Sequence, residues 1–279
     1  MERNLKSKLL LSLLPVFLVF TLVFSTCKNK PDDGPVTGEM AKDEVGPEYM
    51  GRESCKECHE REYELYQGSD HDLAMDHATD ETVLADFNIS KNLHGIETRF
   101  FRQDVKFMVN TEGVNGEMKD FEIKYVFGVR PLQQYMVEFD RPADLPANAV
   151  ARLQVLRVSW DTERNEWFYL PVPDVEEKLS PDDDLHWTGV GQRWNNMCAY
   201  CHSTNLQKNF DVASLTSHTT YSDSDVRCEG CQGPAGLHVE LARGSSWFWD
   251  RRHGYGLAKL QTQDTRPQIE TCAPCHSRR

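Results

Sequence analysis

The chain has 279 residues, of which 39% are hydrophobic and 27% charged, with a net charge of −13. It is long enough to bury a core of its own. The acidic balance excludes nucleic-acid binding through a basic surface, and suits solubility or the docking of basic partner proteins.

In chain order, Arg3, Lys6 and Lys8 form a positive head, and 9–24 is apolar except for Ser12, Pro15 and Thr21. That run is shorter than the roughly 20 residues of a membrane span and reads as an export signal. Cys27 stands where a bacterial lipoprotein is cut and lipidated, although Phe24 and Thr26 are imperfect neighbours for that pattern. The expectation is a lipid-anchored protein; a cleaved soluble chain and an uncleaved anchor stay open. All three put the folded part outside the cytoplasm, in the periplasm or cell envelope. Residues 28–47, with three prolines, three glycines and mixed charge, read as a flexible linker. The remainder, 48–279, reads as one cofactor-bearing domain.

Ser54 and Glu57 make a capping box that predicts a helix through the following Glu-rich segment, closed near Gly68. Ser69 starts a short second helix carrying His71, Met75 and His77. From about 96 to 175 the pattern changes to aromatic and β-branched runs: Phe100-Phe101, 105–109, 121–129, 134–139 and 152–160. Asn115-Gly116, Asp140-Arg141-Pro142 and 161–165 supply turn chemistry between them, and 111–116 reads as a hairpin tip. From about 181 the segments are short and loop-rich. The expected fold class is therefore mixed, mostly α and irregular, with an inserted antiparallel β region at about 96–175.

Eight of the nine cysteines form four Cys-x-x-Cys pairs. Cys55/Cys58, Cys198/Cys201 and Cys272/Cys275 are followed at once by His59, His202 and His276, whereas Cys228/Cys231 is followed by Gln232. Cys-x-x-Cys-His is the spacing of c-type haem attachment, with the sulfurs as thioethers and the next imidazole as an axial iron ligand. Paired zinc knuckles would place their pairs about 15 to 20 residues apart and need no following histidine. Disulfide stapling suits shorter chains that lack a core. Haem c is expected at the three complete motifs, and a fourth haem at Cys228/Cys231 is in doubt.

Of the remaining seven histidines, His71, His186, His238 and His218 are the candidate distal ligands, ahead of His253, His77 and His94. A second histidine gives a low-potential haem suited to electron transfer, and methionine raises the potential. Met75 is first a core residue and only second a distal sulfur. At Gln232 three outcomes are open: no haem, a haem with a weak or vacant position able to bind substrate, or a histidine from elsewhere. The glutamine amide is a poor iron ligand beside imidazole.

These residues resemble multihaem c-type cytochromes of the cytochrome c-554 and c-prime type, in particular large exported members that continue into tetratricopeptide repeats. The stretches that carry the resemblance are 49–59, 68–75, 127–135, 185–189, 195–205 and 228–234, among them Gly68-Ser69-Asp70-His71 and Phe127-Gly128-Val129-Arg130-Pro131. The resemblance implies clustered haems with mainly bis-histidine ligation and electron transfer outside the cytoplasm. It implies a histidine where Gln232 stands and further chain after Arg279, so truncation is expected. The leading reading is an exported electron relay between a membrane donor and another redox protein, an electron carrier, with the question of enzyme activity left open. The rivals are a catalytic oxidoreductase acting on a small nitrogen or sulfur compound, and a truncated inactive product.

Overall fold

In the computed structural model the described residues are 48–244 and 256–277. The export signal, Cys27, the 28–47 linker and His253 lie outside them.

The aromatic and β-branched runs form the scaffold. Strands β1 (Met75–His77), β2 (Ile89–Leu93), β3 (Ile96–Gln103), β4 (Lys106–Glu112), β5 (Met118–Phe127), β6 (Leu132–Phe139), β7 (Ala149–Val150), β8 (Arg152–Asp161) and β9 (Glu166–Tyr169) follow in sequence. All but β7 join one sheet of order β2-β3-β4-β5-β6-β8-β9, with β1 paired to the far half of β5. Every pairing is antiparallel, as short connections require. His94 (φ 54°) and Gly95 (φ 82°) occupy the two left-handed positions of the β2–β3 turn. The two edge strands then approach each other. On β2, Lys91 Nζ donates to Trp167 O of β9 at 2.6 Å and pairs with Glu166 at 3.3 Å. The sheet is thereby curled into a nearly closed barrel, which leaves little open edge.

Both faces of this sheet carry core. Inside, Phe87, Phe100, Phe107, Tyr135, Trp160 and Trp167 pack together, with Phe100 stacked on Trp167 at 3.6 Å. Outside, Met75, Tyr125, Phe127, Met136, Leu153, Val155, Trp194 and Ala199 form a second cluster. Irregular register between Ile123 and Tyr125, and again between Gln134 and Met136, lets β5, β6 and β8 serve both faces. A bulge re-aims the side chains that follow it.

The helices are α1 (Arg52–Lys56), α2 (Glu60–Tyr66), α3 (Trp194–Met197), α4 (Cys228–Gln232), α5 (Gly236–Arg243) and α6 (Arg266–His276). Most are one or two turns long, too short to make a layer of their own. The expectation of a mostly α and irregular fold is thus overturned. The antiparallel sheet is the framework, and it begins at Met75, well before 96. Two local expectations also change. Residues 75–77 are strand, because they pair with Tyr125–Phe127 backbone, where a helix had been read. Ser54 lies inside α1, bonded through its hydroxyl to Met50 O at 2.9 Å, and Gly51 (φ 73°) is the helix entry. Among the described residues no helix is long and apolar enough to cross a membrane.

Candidate haem sites

Each motif winds as a single helical turn. Cys55 O accepts from Cys58 N at 3.2 Å and from His59 N at 2.9 Å, and Cys198 O accepts from Cys201 N at 3.0 Å. The Cys228 pair occupies α4, and Cys272 to His276 ends α6. Helical winding brings residues i, i+3 and i+4 to one side, so two sulfurs and the next imidazole share a face.

The motifs hang on different parts of the barrel. Around the first, Arg52 donates from Nε and Nη2 to Tyr63 Oη at 3.0 and 2.6 Å, and Tyr63 donates to Glu53 at 2.9 Å, which locks α2 against α1. The Cys198 motif sits on the outer core cluster through Trp194 and Ala199. His202 is pressed edge-on against Phe127 at 5.1 Å. Its Nδ1–H donates to Ala74 O at 3.2 Å, so the neutral ring leaves Nε2 with its lone pair. Burial, partly opposed by that bond, holds the His202 pKa below its usual value.

At the last motif the two cysteines are unequally covered. Cys275 is half-buried, whereas Cys272 and His276 are exposed, and α6 buries none of its residues. α6 contributes no side chain to the apolar clusters of the sheet. Cys275 follows Cys272 by three positions along α6, across Pro274. The motif lies near the Gln232 motif: burial first, then Cys272 and Cys228, pushes the Cys231 thiol pKa up. All eight motif cysteines are outside disulfides, as thioether attachment requires.

Two further histidines meet motif histidines. His238 of α5 lies with its ring centroid 6.1 Å from that of His59, the planes 28° apart. His71, in the turn before β1, lies 5.9 Å from His276, at 87°. Two imidazoles bound on opposite sides of one metal atom through bonds of about 2 Å have ring centres roughly 6 Å apart. Rotation about that axis leaves coordination unchanged, so both interplanar angles are compatible with it. The residues present therefore fit a bis-histidine haem at each pair.

The other candidates lie elsewhere. His186 is 4% exposed, its Nδ1 at 2.8 Å from Thr188 Oγ1, and it lines a cavity of the barrel with His94, Arg157, Tyr169 and Trp187. Burial lowers its pKa. His218 Nε2 is 3.0 Å from Thr216 Oγ1, His77 packs on Tyr125, and His94 stacks on Tyr169. Met75 is fully buried in the outer core cluster. Gln232 closes α4 exposed to solvent, its backbone O accepting from Ala258 N at 2.9 Å. Among the described residues, no group of three or more His, Cys, Asp or Glu converges to hold a metal ion directly.

The first motif and the Gln232 motif meet at a polar junction that the sequence did not reveal. Glu229, 4% exposed, accepts from Met50 N and Gly51 N at 2.9 Å each and from Ala235 N at 2.8 Å. The Cys55 thiol hydrogen-bonds Cys228. That bond pushes the Cys55 pKa up and, with Arg227 and Arg52 nearby, brings the Cys228 pKa down to about 6. Arg227 pairs with Asp72 and Asp225, and Arg52 reaches Asp72 at 3.3 Å. Tyr66 donates to Val226 O. Acid–arginine alternation within 223–229 was the available signal, but nothing local tied it to residues 50–72.

Residues 54–100, from the first motif through His71 into β3, match the family model for cytochrome c554 and c-prime. Over that stretch the chain resembles a c-type cytochrome. The chain also aligns with the crystal structure of outer cell wall cytochrome OcwA, with a TM-score of 0.47 and 20% identity over 82% of this chain. It spans 37% of the length of that protein. No curated protein matches the chain.

Proposed function

We propose that the protein is an exported, lipid-anchored cytochrome that relays single electrons between a membrane donor and a basic-surfaced redox protein. Haem, when bound, supplies an iron that takes up and releases one electron reversibly. Cys55/Cys58 with His59 and His238 would hold one haem, and Cys272/Cys275 with His276 and His71 another. Cys198/Cys201 with His202 would hold a third. The chain's own residues fix the imidazoles: Ala74 O orients His202, and α5 and the turn before β1 carry His238 and His71. The observation that carries the reading is the pair of histidine contacts near 6 Å, each joining a motif histidine to one distant in sequence. The acidic surface supports a basic partner and speaks against nucleic acid. Cys27 would bear the lipid.

The test is electron paramagnetic resonance and haem-peptide mass spectrometry on protein matured with a haem-attachment system. Low-spin bis-histidine signals at the His59 and His276 sites support the relay. Stoichiometric zinc without a Soret band refutes it. A catalytic reading, in which an open iron takes a small nitrogen or sulfur compound, draws on one observation: His238 stands beside His59 and away from the role of replacing Gln232. A high-spin signal that binds nitrite or hydroxylamine, and vanishes in Gln232→His, would establish that alternative.

A further inference from the structure

The junction between the first motif and the Gln232 motif holds more carboxylates than cations. Asp72, Asp223 and Asp225 face two guanidiniums, Arg52 and Arg227. Asp72 is well supplied: it takes both arginines and accepts from Gly68 N at 2.8 Å. Asp225 is 2% exposed and shares Arg227 with it. Its Oδ1 lies beside Arg227 Nε without the alignment of a hydrogen bond, so neither atom is satisfied by the other. A buried carboxylate with a half-share in one poorly aligned cation is costly to ionise.

The cluster also sits where two attachment motifs touch. Arg227 adjoins Cys228, Arg52 lies one turn before Cys55, and the Cys55 and Cys228 sulfurs are in contact. Resting on the haem assignment above, we propose that Asp225 is a proton-binding site linked to electron uptake at the first motif. On reduction, one electron enters a neighbouring haem from the donor protein or an electrode. Asp225 then takes one proton from solvent onto a carboxylate oxygen, and reoxidation returns both.

The direction follows from charge. An added electron makes the surroundings more negative and favours the neutral carboxyl. The groups facing Asp225 are Arg227 and Asp223 on its own loop, Asp72 in the turn before β1, Arg52 on α1 and Tyr66 on α2. Burial is the largest influence on Asp225, with Asp223 and Asp72 adding to it and Arg227 and Arg52 opposing, and its pKa is raised to about 7. It therefore titrates within the working range. A unit charge appearing roughly 10 Å away, at an effective dielectric constant of about 20, changes proton affinity by roughly tenfold. For a one-electron couple, tenfold converts to about 59 mV of midpoint potential.

The experiment is a spectroelectrochemical titration of the matured wild-type protein and Asp225→Asn from about pH 5.5 to about pH 8.5. Haem content and Soret spectra are recorded first, so that failed haem attachment is read separately from failed proton linkage. In wild type, at least one midpoint should fall by about 59 mV across this range, and the fall should vanish in Asp225→Asn. A pH-independent wild type, or a slope kept by the variant, overturns the proposal. If the variant does not load haem, the wild-type infrared redox difference spectrum decides. A carboxylic C=O band appearing on reduction supports Asp225, and its absence refutes the site.

Discussion

Replacing Glu229 by alanine should loosen the junction between the first motif and the Gln232 motif. Its carboxylate accepts three backbone N–H groups, two on the segment entering α1 and one at Ala235. Hydrogen bonds to a charged group contribute about 1.5–3 kcal/mol each, so the three together set a ceiling of about 5–9 kcal/mol. Met50 and Gly51 are half-buried and regain water in the variant, whereas Ala235 is buried and does not. Glu229→Ala should therefore cost about 3–4 kcal/mol. Glu229→Gln should cost less, about 1–3 kcal/mol, because one acceptor oxygen becomes an NH2 that confronts an N–H donor. Urea denaturation of the matured protein, followed by far-ultraviolet circular dichroism, gives both values. An alanine variant within about 0.5 kcal/mol of wild type would show that the three bonds are not needed, and the reasoning would fail.

Other outcomes follow from the same geometry. Trp167→Ala empties the barrel interior at a residue 1% exposed, stacked on Phe100 and bonded through Nε1 to Asp86 O at 2.8 Å. It should lower stability by about 3–5 kcal/mol in thermal or urea unfolding. His238→Ala should turn one low-spin haem high-spin, and His71→Ala should do the same to a different haem. One signal lost to both substitutions would refute the pairing. In the protein before haem attachment, Cys228 should react with iodoacetamide ahead of Cys55, its rate rising with pH through about 6 as the thiolate forms. Equal rates at both thiols, measured by peptide mass spectrometry, would count against the Cys55–Cys228 contact.

The strands from 96 onward were legible because their aromatic and β-branched residues are bounded by turn chemistry. The 111–116 tip is an example: Gly113 N bonds Glu117 O at 2.9 Å and Gly116 takes φ 76°. The cysteine motifs were equally plain, since their signal is covalent spacing. Met75-Asp76-His77 was misread because three residues carry no period, and their conformation is decided by β5, some fifty positions away. The overall class went astray for a related reason. Short helices that bear motifs draw attention, yet buried area lies in pairings that only the folded chain assembles. His71 and His238 could be named as candidates, but their partners could not, because contact between His71 and His276 has no trace in local sequence.

The barrel's aromatic interior contains no motif cysteine and no motif histidine. A cytochrome whose only apolar mass is porphyrin forfeits its architecture when one attachment is lost. Here the mount stands apart from what is mounted. The motif ending in Gln232 departs from the Cys-x-x-Cys-His pattern of the other three without subtracting from that interior. Redox centres on such a frame are separately replaceable.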